Sequence, residues 1–186
     1  PQAIYYFYAY GQIKQKYPTQ NVVFSVPCGN CGNLTGGLIA KRMGLPVRFI
    51  ASQNKNCVFI DYLQSGIYSP IISNQTYSSA MDVGDPSNVK RIQYLYNHDV
   101  KQMRQDIQGH FCTEMDTLKE IKRVWTKYNY KIDPHTAVAI NAVRNQSSQM
   151  NTHFIVISTA SPMKFSKTIQ KAIQCSPEIP LSIQKL

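Results

Sequence analysis

The sequence predicts an α/β protein built around a mostly parallel β-sheet. Short β-branched apolar runs alternate with segments of helical periodicity, and glycines follow where the helical segments should end. The 186 residues are 43% hydrophobic and 16% charged, which is typical of one packed domain with its own core. No apolar run approaches the roughly 20 residues that a membrane helix needs.

The first half of the chain alternates strand and helix twice. The segment 21–26 (NVVFSV) predicts a buried strand, and 33–44 (NLTGGLIAKRMG) predicts a helix that ends at Gly44. The segment 46–52 predicts a second strand, and 56–66 a second helix that also ends at a glycine. Because parallel strands are joined by crossover helices, this order predicts a parallel sheet.

The second half contains three predicted helix starts, with Asp85, Thr113 and Asp133 as the N-cap residues. Asp85 and Asp133 each precede a proline, which is favoured at the first helical position. A third clear strand is predicted at 153–159, followed by a helix over 161–173.

The chain opens on an aromatic-rich segment, 3–10 (AIYYFYAY), which predicts a buried helix and lacks the cleavage-site pattern of a signal peptide. Because natural termini usually lie at the surface and no initiator Met is present, we expect an incomplete or processed chain. The formal net charge is +10, but the basic residues are spread along the chain. This excess favours an anionic small ligand over nucleic acid.

Five cysteines are present, and only Cys28 and Cys31 are closely spaced. An odd count with one close pair argues against a disulfide framework and suits a reducing compartment, so we expect a cytoplasmic protein. The pair lies in 25–37 (SVPCGNCGNLTGG), between the first strand and its helix. Helix N-terminal amides bind anions, and glycines let the backbone turn with positive φ and approach a phosphate. A redox thiol pair, a zinc site and two small structural hydrophobes remain alternatives.

Five blocks then span nearly the whole chain: 5–10 (YYFYAY), 26–47 (VPCGNCGNLTGGLIAKRMGLPV), 78–91 (SSAMDVGDPSNVKR), 133–139 (DPHTAVA) and 158–165 (STASPMKF). In this order they resemble the threonine synthase family of fold-type-II pyridoxal-phosphate (PLP) enzymes. The resemblance implies a three-layer, doubly wound, mostly parallel sheet of the tryptophan-synthase-beta-like fold, present in part. It also implies that residues 1–20 lead into the domain, 21–175 form the PLP-binding portion and 176–186 are a C-terminal extension.

The resemblance also implies the site and its chemistry. The residues expected to hold the cofactor phosphate are Gly29, Asn30, Cys31, Gly32 and Asn33. Thr159 is expected to face the pyridine nitrogen. The family converts O-phospho-L-homoserine and water to L-threonine and phosphate. Its Schiff-base lysine is expected upstream of this chain, so no catalytic residue is assigned here and the isolated chain is expected to be inactive.

The sequence departs from the family pattern at several positions. Cys28 replaces a Ser or Thr and Cys31 a Phe, so the thiol pair is interpreted as an accident of two substitutions. Ser161 replaces a His, which alters the site if that position contacts ligand. For His135 and Asp82, structural roles are favoured over ligand contact. The aromatic residues at 5–10 are interpreted as core or as an interface with the absent portion of the enzyme.

Other assignments stay open. Another fold-type-II PLP enzyme, a non-catalytic relative and a Cys-x-x-Cys thiol oxidoreductase are the alternatives in function. We expect no metal, nucleic-acid or membrane partner, and a homo-oligomer is possible.

Overall fold

The computed structural model describes residues 1–146, 151–175 and 177. Its helices are α1 Ile4–Lys16, α2 Gly32–Arg42, α3 Val58–Ser65, α4 Val89–Leu95, α5 Val100–Asp106, α6 Glu114–Tyr128, α7 Pro134–Arg144 and α8 Ser166–Ile173. Short 3-10 turns lie at Ser79–Met81 and Pro162–Phe165. The strands are β1 Asn21–Pro27, β2 Arg48–Gln53, β3 Ile107–Phe111 and β4 Thr152–Val156. Apart from Pro177, the expected C-terminal extension lies outside the described residues.

The four strands form one parallel sheet in the order β3-β2-β1-β4. From β1 the chain crosses to β2 and then to β3, and it returns to β4 on the opposite side of β1. The direction of winding therefore reverses between β1 and β4. In open α/β sheets, ligands bind in the crevice beyond the carboxyl ends of the strands at such a switch point.

Helices cover both faces of the sheet. On one face, Phe24 and Phe49 pack in a core cluster with Leu34 of α2 and Phe59 of α3. On the other face, Val23 and Ile50 belong to a cluster with Ala142 of α7. Alternate residues of a strand point to opposite faces, so adjacent residues of β1 enter different cores. The predicted α/β fold with a parallel sheet is confirmed.

A further layer lies outside α7, where α6 and α8 pack against it through Ile121, Ala137 and Ile169. Glu120 of α6 is buried in this region, and its carboxylate pairs with Arg123 and with Arg144 at 2.8 Å. Among the described residues, no helix is long and apolar enough to cross a membrane.

Two of the three predicted N-caps are confirmed. Thr113 accepts from the Asp116 amide at 3.1 Å, and Asp133 accepts from the amides that follow it at the start of α7. The third prediction is wrong, because α4 starts after Asn88 and the Asp85 carboxylate instead accepts from the Tyr68 hydroxyl at 2.7 Å.

Three further expectations need correction. Strand β3 was not predicted, because its polar sequence IQGHF lacks an apolar run. Strand β4 ends at Val156, so Thr159 lies in the loop after it rather than at its end. Helix α1 is not buried: it contributes Tyr6 to the core, while the side chain of Tyr8 is 70% exposed.

Candidate functional site

The junction between β1 and α2, residues 28–33, lies at the carboxyl end of β1. The Cys28 amide donates to the Ser52 carbonyl at 2.9 Å, which ties the junction to β2. Cys31 is the N-cap of α2 and adopts the left-handed conformation with φ 55°. The expectation that a glycine supplies the positive φ of this turn is therefore wrong.

The backbone amides of the β1–α2 junction have no hydrogen-bond partner within the described chain. The first bond of α2 runs from the Thr35 amide to the Cys31 carbonyl at 3.0 Å. Within the described part of the chain, no hydrogen bond uses the amides of residues 29–33. Because the first amides of a helix have no partner inside it and carry the positive end of its dipole, they suit an anion.

The junction glycines allow close packing rather than an unusual φ. A Cβ built on Gly29 would lie 2.7 Å from the Met81 Cα and 2.9 Å from the Ala80 carbonyl oxygen. A Cβ on Gly32 would lie 3.4 Å from the Asn88 side-chain nitrogen. At Gly29 the contact is with backbone, so any larger residue would push the junction away from the 79–81 turn.

Asn30 links the junction to the chain before α4. Its side-chain oxygen accepts from the Ser87 amide at 2.6 Å and lies 3.0 Å from the Ser87 hydroxyl. Its carbonyl accepts from the Asn88 side chain at 2.8 Å. Since both of its oxygens are engaged within the protein, Asn30 can offer a ligand its amide.

Asn33 is held by two tyrosines of α1. Its side-chain oxygen accepts from the hydroxyl of Tyr5 and, at 2.5 Å, from the hydroxyl of Tyr6. Burial raises the pKa of both phenols, so they remain protonated donors at neutral pH. The sequence interpretation assigned these aromatics to core or interface and missed their role as donors to Asn33.

A cleft of about 690 Å³ opens between α1 and β4. Among its lining residues are Tyr5, Tyr8, Asn33, Ser158 and Thr159. The structure thus brings two predicted site residues, Asn33 and Thr159, to one cleft. The cleft is not lined by the other four predicted phosphate residues, which precede Asn33 in the sequence: Gly29, Asn30, Cys31 and Gly32.

Cys28 and Cys31 form a disulfide with their Cα atoms 4.7 Å apart. The interpretation of two unrelated substitutions is therefore wrong for this pair, whose side chains are bonded to each other. Both residues are buried, with exposed fractions of 1% and 3%. Among the described residues, no group of three or more metal-ligating side chains occurs.

The two side chains that were favoured as structural are both built into the scaffold. The Asp82 carboxylate accepts from the side chains of Asn54 and Asn56, at 3.0 and 3.1 Å, and from the Thr76 amide at 2.9 Å. His135 is buried between the Asp133 carboxylate and the amide of Ala80.

Known proteins resemble this chain over nearly its full length. Residues 136–186 match the family model described as threonine synthase, C-terminal. The threonine synthase of Buchnera aphidicola subsp. Baizongia pistaciae is 36% identical over 98% of this chain and 42% of its own length. That of Escherichia coli (strain K12) is 36% identical over 96% of this chain and 41% of its own length.

Solved structures give the same result. The crystal structure of threonine synthase from Escherichia coli has a TM-score of 0.87 and 33% identity, covering 99% of this chain and 42% of that one. A PLP-bound threonine synthase from Brucella melitensis has a TM-score of 0.88 and 28% identity, covering 98% of this chain and 44% of that one. The chain thus spans less than half the length of these relatives, and it belongs to the threonine synthase family.

Proposed function

We propose that this chain forms the phosphate-binding and ring-facing part of a PLP-dependent threonine synthase. The whole enzyme converts O-phospho-L-homoserine and water to L-threonine and phosphate. One observation carries the proposal: the amides of residues 29–33 have no partner within the described chain and lie beside the switch point of a parallel sheet.

The residues present fit the cofactor's phosphate. The amides of Gly29, Asn30, Cys31, Gly32 and Asn33 would bind its oxygens. The dianion would lie at the positive end of the α2 dipole, and the contact between Gly29 and the 79–81 turn would hold the junction closed around it. Cys31 would contribute only its backbone amide, so its side chain need not match the Phe that the family has at this position.

The residues around Thr159 fit the ring end of the cofactor. Thr159 lies in the same cleft as Asn33, and a volume of about 690 Å³ is within the range of small-molecule sites. A threonine hydroxyl beside the pyridine nitrogen can donate a hydrogen bond but cannot hold a proton there as a carboxylate does. When bound, PLP supplies an electron sink for carbanions of the substrate, and this hydroxyl would moderate that sink.

The Schiff-base lysine is expected in the portion of the enzyme upstream of this chain. Lys41 does not replace it, because its ammonium pairs with Asp106 at 3.1 Å and donates to the Val47 carbonyl at 2.8 Å. We therefore expect the isolated chain to be inactive and the full-length protein to be active.

The test uses the full-length protein, with release of inorganic phosphate from O-phospho-L-homoserine and the absorbance of bound PLP as the two readouts. We expect both phosphate release and a PLP absorbance that survives dialysis. Retained PLP without phosphate release would indicate another fold-type-II enzyme or a non-catalytic relative. Absence of both would overturn the proposal.

A thiol oxidoreductase is the second candidate, and the bonded pair Cys28–Cys31 is the observation in its favour. The burial of both cysteines weighs against it, because a catalytic thiolate needs access to its substrate. Reduction of an insulin disulfide by the full-length protein, abolished in Cys28→Ser and Cys31→Ser, would support this candidate.

A further inference from the structure

We propose that His135 is a positioning residue for the cofactor site: its ring ties one wall of the site to the first turn of α7, which contacts a second wall through Thr136. One wall is the β1–α2 junction, and the other is the β4 loop, residues 157–161. The identity of the ligand in this inference rests on the proposed function, whereas the positioning contacts do not.

The hydrogen bonds of His135 fix its tautomer. The Ala80 amide donates to the His135 Nε2 at 3.1 Å, so this nitrogen carries no proton. The proton of the neutral ring is therefore on Nδ1, which donates to the Asp133 carboxylate at 2.7 Å. His135 is 2% exposed, so water does not compete for either nitrogen. The ring is a rigid link between the start of α7 and the 79–81 turn.

The 79–81 turn transmits this link to the β1–α2 junction. The backbone of Ala80 and Met81 packs against Gly29 closely enough to exclude a single added methyl group. A displacement of Ala80 would therefore move Gly29, whose amide is one of the proposed phosphate donors. Asp82 anchors the far side of the same turn through its bond from Asn54. Because of this second anchor, loss of the His135 bond should shift the turn rather than release it.

The same first turn of α7 reaches the β4 loop. The Thr136 hydroxyl donates to the Asp133 carboxylate and lies 3.2 Å from the hydroxyl of Ser158, which precedes Thr159. The His135 ring also meets the Phe165 ring edge to face, with centroids 4.7 Å apart. The β1–α2 junction, through the 79–81 turn, and the β4 loop are thus linked to His135 and Thr136, two consecutive residues of α7.

A simple helix cap would not require this arrangement. Asp133 alone satisfies the His135 and Thr136 amides, at 2.9 and 3.3 Å. The imidazole adds nothing to those cap bonds, and its Nε2 acceptor serves the Ala80 amide instead. The role of the ring is therefore to connect α7 to the turn beneath Gly29.

Two variants separate the two nitrogens of the ring. The side-chain NH2 of asparagine mimics Nδ1–H, so His135→Asn keeps the bond to Asp133 and leaves the Ala80 amide without an acceptor. The side-chain oxygen of glutamine mimics Nε2, so His135→Gln keeps the bond from Ala80. In the full-length protein we expect His135→Asn to weaken PLP binding about fivefold, and His135→Gln to remain within about twofold of wild type.

The phosphorus NMR shift of bound PLP is the site-specific readout. We expect the resonance to move in His135→Asn and to return in His135→Gln. His153→Asn is the matched control, because His153 is at the start of β4 and bonds the Gln20 side chain, at the opposite end of the strand. Its PLP affinity and phosphorus shift should equal those of wild type.

Hydrogen exchange in the cofactor-free full-length protein tests the contacts without PLP. We expect faster exchange in the peptides that contain Gly29 and Ala80 in His135→Asn, and wild-type rates in His135→Gln. The peptide that contains Thr159, which is held through Thr136 and Ser158, should exchange at the wild-type rate in both variants. If both variants lose only melting temperature, with unchanged PLP affinity, phosphorus shift and exchange at the Gly29 and Ala80 peptides, the positioning role is refuted. If wild type itself does not bind PLP, the proposed function fails, while the exchange result still decides whether His135 positions the β1–α2 junction.

Discussion

The helices α7 and α2 pack against the same sheet, but the hydrogen bonding at their N-termini differs. At α7 the Asp133 carboxylate accepts from two amides, from the His135 ring and from the Thr136 hydroxyl. At α2 the N-cap is Cys31, which makes no side-chain cap bond. The protein supplies its own anion at α7, whereas the amides at the start of α2 have no partner within the described chain.

This contrast separates the scaffold from the proposed binding surface. The buried Asp133 carboxylate already accepts four hydrogen bonds, and the His135 and Thr136 amides at the start of α7 are engaged by it. The start of α2 keeps its amides and its dipole, and the 79–81 turn closes behind Gly29. The sequence predicts Asp133 as an N-cap, but the additional bonds from the His135 ring and the Thr136 hydroxyl are seen only in the structure.

The largest effect on stability is expected at the N-terminus of α7, where Asp133 already accepts four hydrogen bonds. Asp133→Ala removes the cap and leaves the His135 and Thr136 donors buried without an acceptor, which should cost about 3 kcal/mol in the free energy of unfolding. Chemical denaturation of the full-length protein would measure it. Asp99→Ala, which removes the N-cap of α5 alone, is the matched control and should cost about 1 kcal/mol. Equal costs at the two positions would show that Asp133 is an ordinary cap.

The same carboxylate predicts a pH dependence. Burial alone would raise the pKa of Asp133, but the hydrogen bonds from His135 and Thr136 outweigh it and hold the pKa below its ordinary value of 3.8. A depressed pKa contributes stability that is complete above 3.8 and is lost as the pH falls through the folded-state pKa. The stability difference between wild type and Asp133→Asn should therefore shrink on acidification below that value. A difference that stays constant would contradict it.

At the N-terminus of α2 a substitution should change ligand binding as well as folding. Gly29→Ala forces the junction away from Ala80 and Met81 and so displaces an amide proposed to bind the phosphate. Loss of one such hydrogen bond to a charged group, about 2 kcal/mol, corresponds to roughly thirtyfold weaker PLP binding. Gly11→Ala is the control, because a Cβ there meets nothing within 4 Å. That change in α1 should stabilise the helix slightly and leave PLP affinity unchanged.

A smaller effect is expected at the ring wall. Thr159→Val replaces the hydroxyl with a methyl group and nearly keeps the shape of the side chain. The loss of one hydrogen bond to PLP should lower turnover about fivefold and shift the absorbance of the bound cofactor. Thr159→Ser should restore both. Thr152→Val at the other end of β4 should change neither. A full-length Thr159→Val enzyme with wild-type turnover and spectrum would remove Thr159 from the site.

The smallest effect concerns the left-handed residue at the N-cap of α2. Under reducing conditions Cys31→Gly relieves the left-handed conformation but also removes a buried side chain, so the free energy of unfolding should change by less than about 0.5 kcal/mol. Asn129→Gly relieves the same conformation at the end of α6, where the side chain is exposed, and should stabilise the protein by about 0.5 kcal/mol. Neither change should alter PLP affinity, because Cys31 would contribute only its amide, and thermal melts with and without PLP would check both expectations.

Much of the fold was predictable because its signals are local. The strand at 21–26, the helix stops at Gly44 and Gly66 and the caps at Thr113 and Asp133 depend on residues within a few positions of each other. Strand β3 was not predictable, because its partner β2 supplies the pairing and the sequence IQGHF has no apolar run. The start of α4 was predicted at the wrong residue because the Asp85 carboxylate accepts a hydrogen bond from the Tyr68 hydroxyl, a contact that no local sequence pattern shows.

The candidate site was predictable only in its outline. Residues 29–33 and Thr159 were assigned as site residues from the sequence, and that assignment remains a prediction. Tyr5 and Tyr6 as donors to Asn33, and Ala80 behind Gly29, depend on long-range packing. The motif DPHTA did offer one signal, since a buried His two residues after an N-cap Asp has one ring nitrogen free to bond a distant backbone group.

The backbone-only role proposed for Cys31 has an evolutionary consequence. If the phosphate is bound by the amide of a residue in the left-handed conformation, selection at position 31 acts on φ and not on side-chain chemistry. Unbranched residues can then exchange there by drift, whereas Val, Ile and Thr should be purged because their Cβ branching opposes this conformation. Homologues with different residues at this position would still bind the phosphate in the same way. A sequence search that requires a particular side chain at this position would miss some of them.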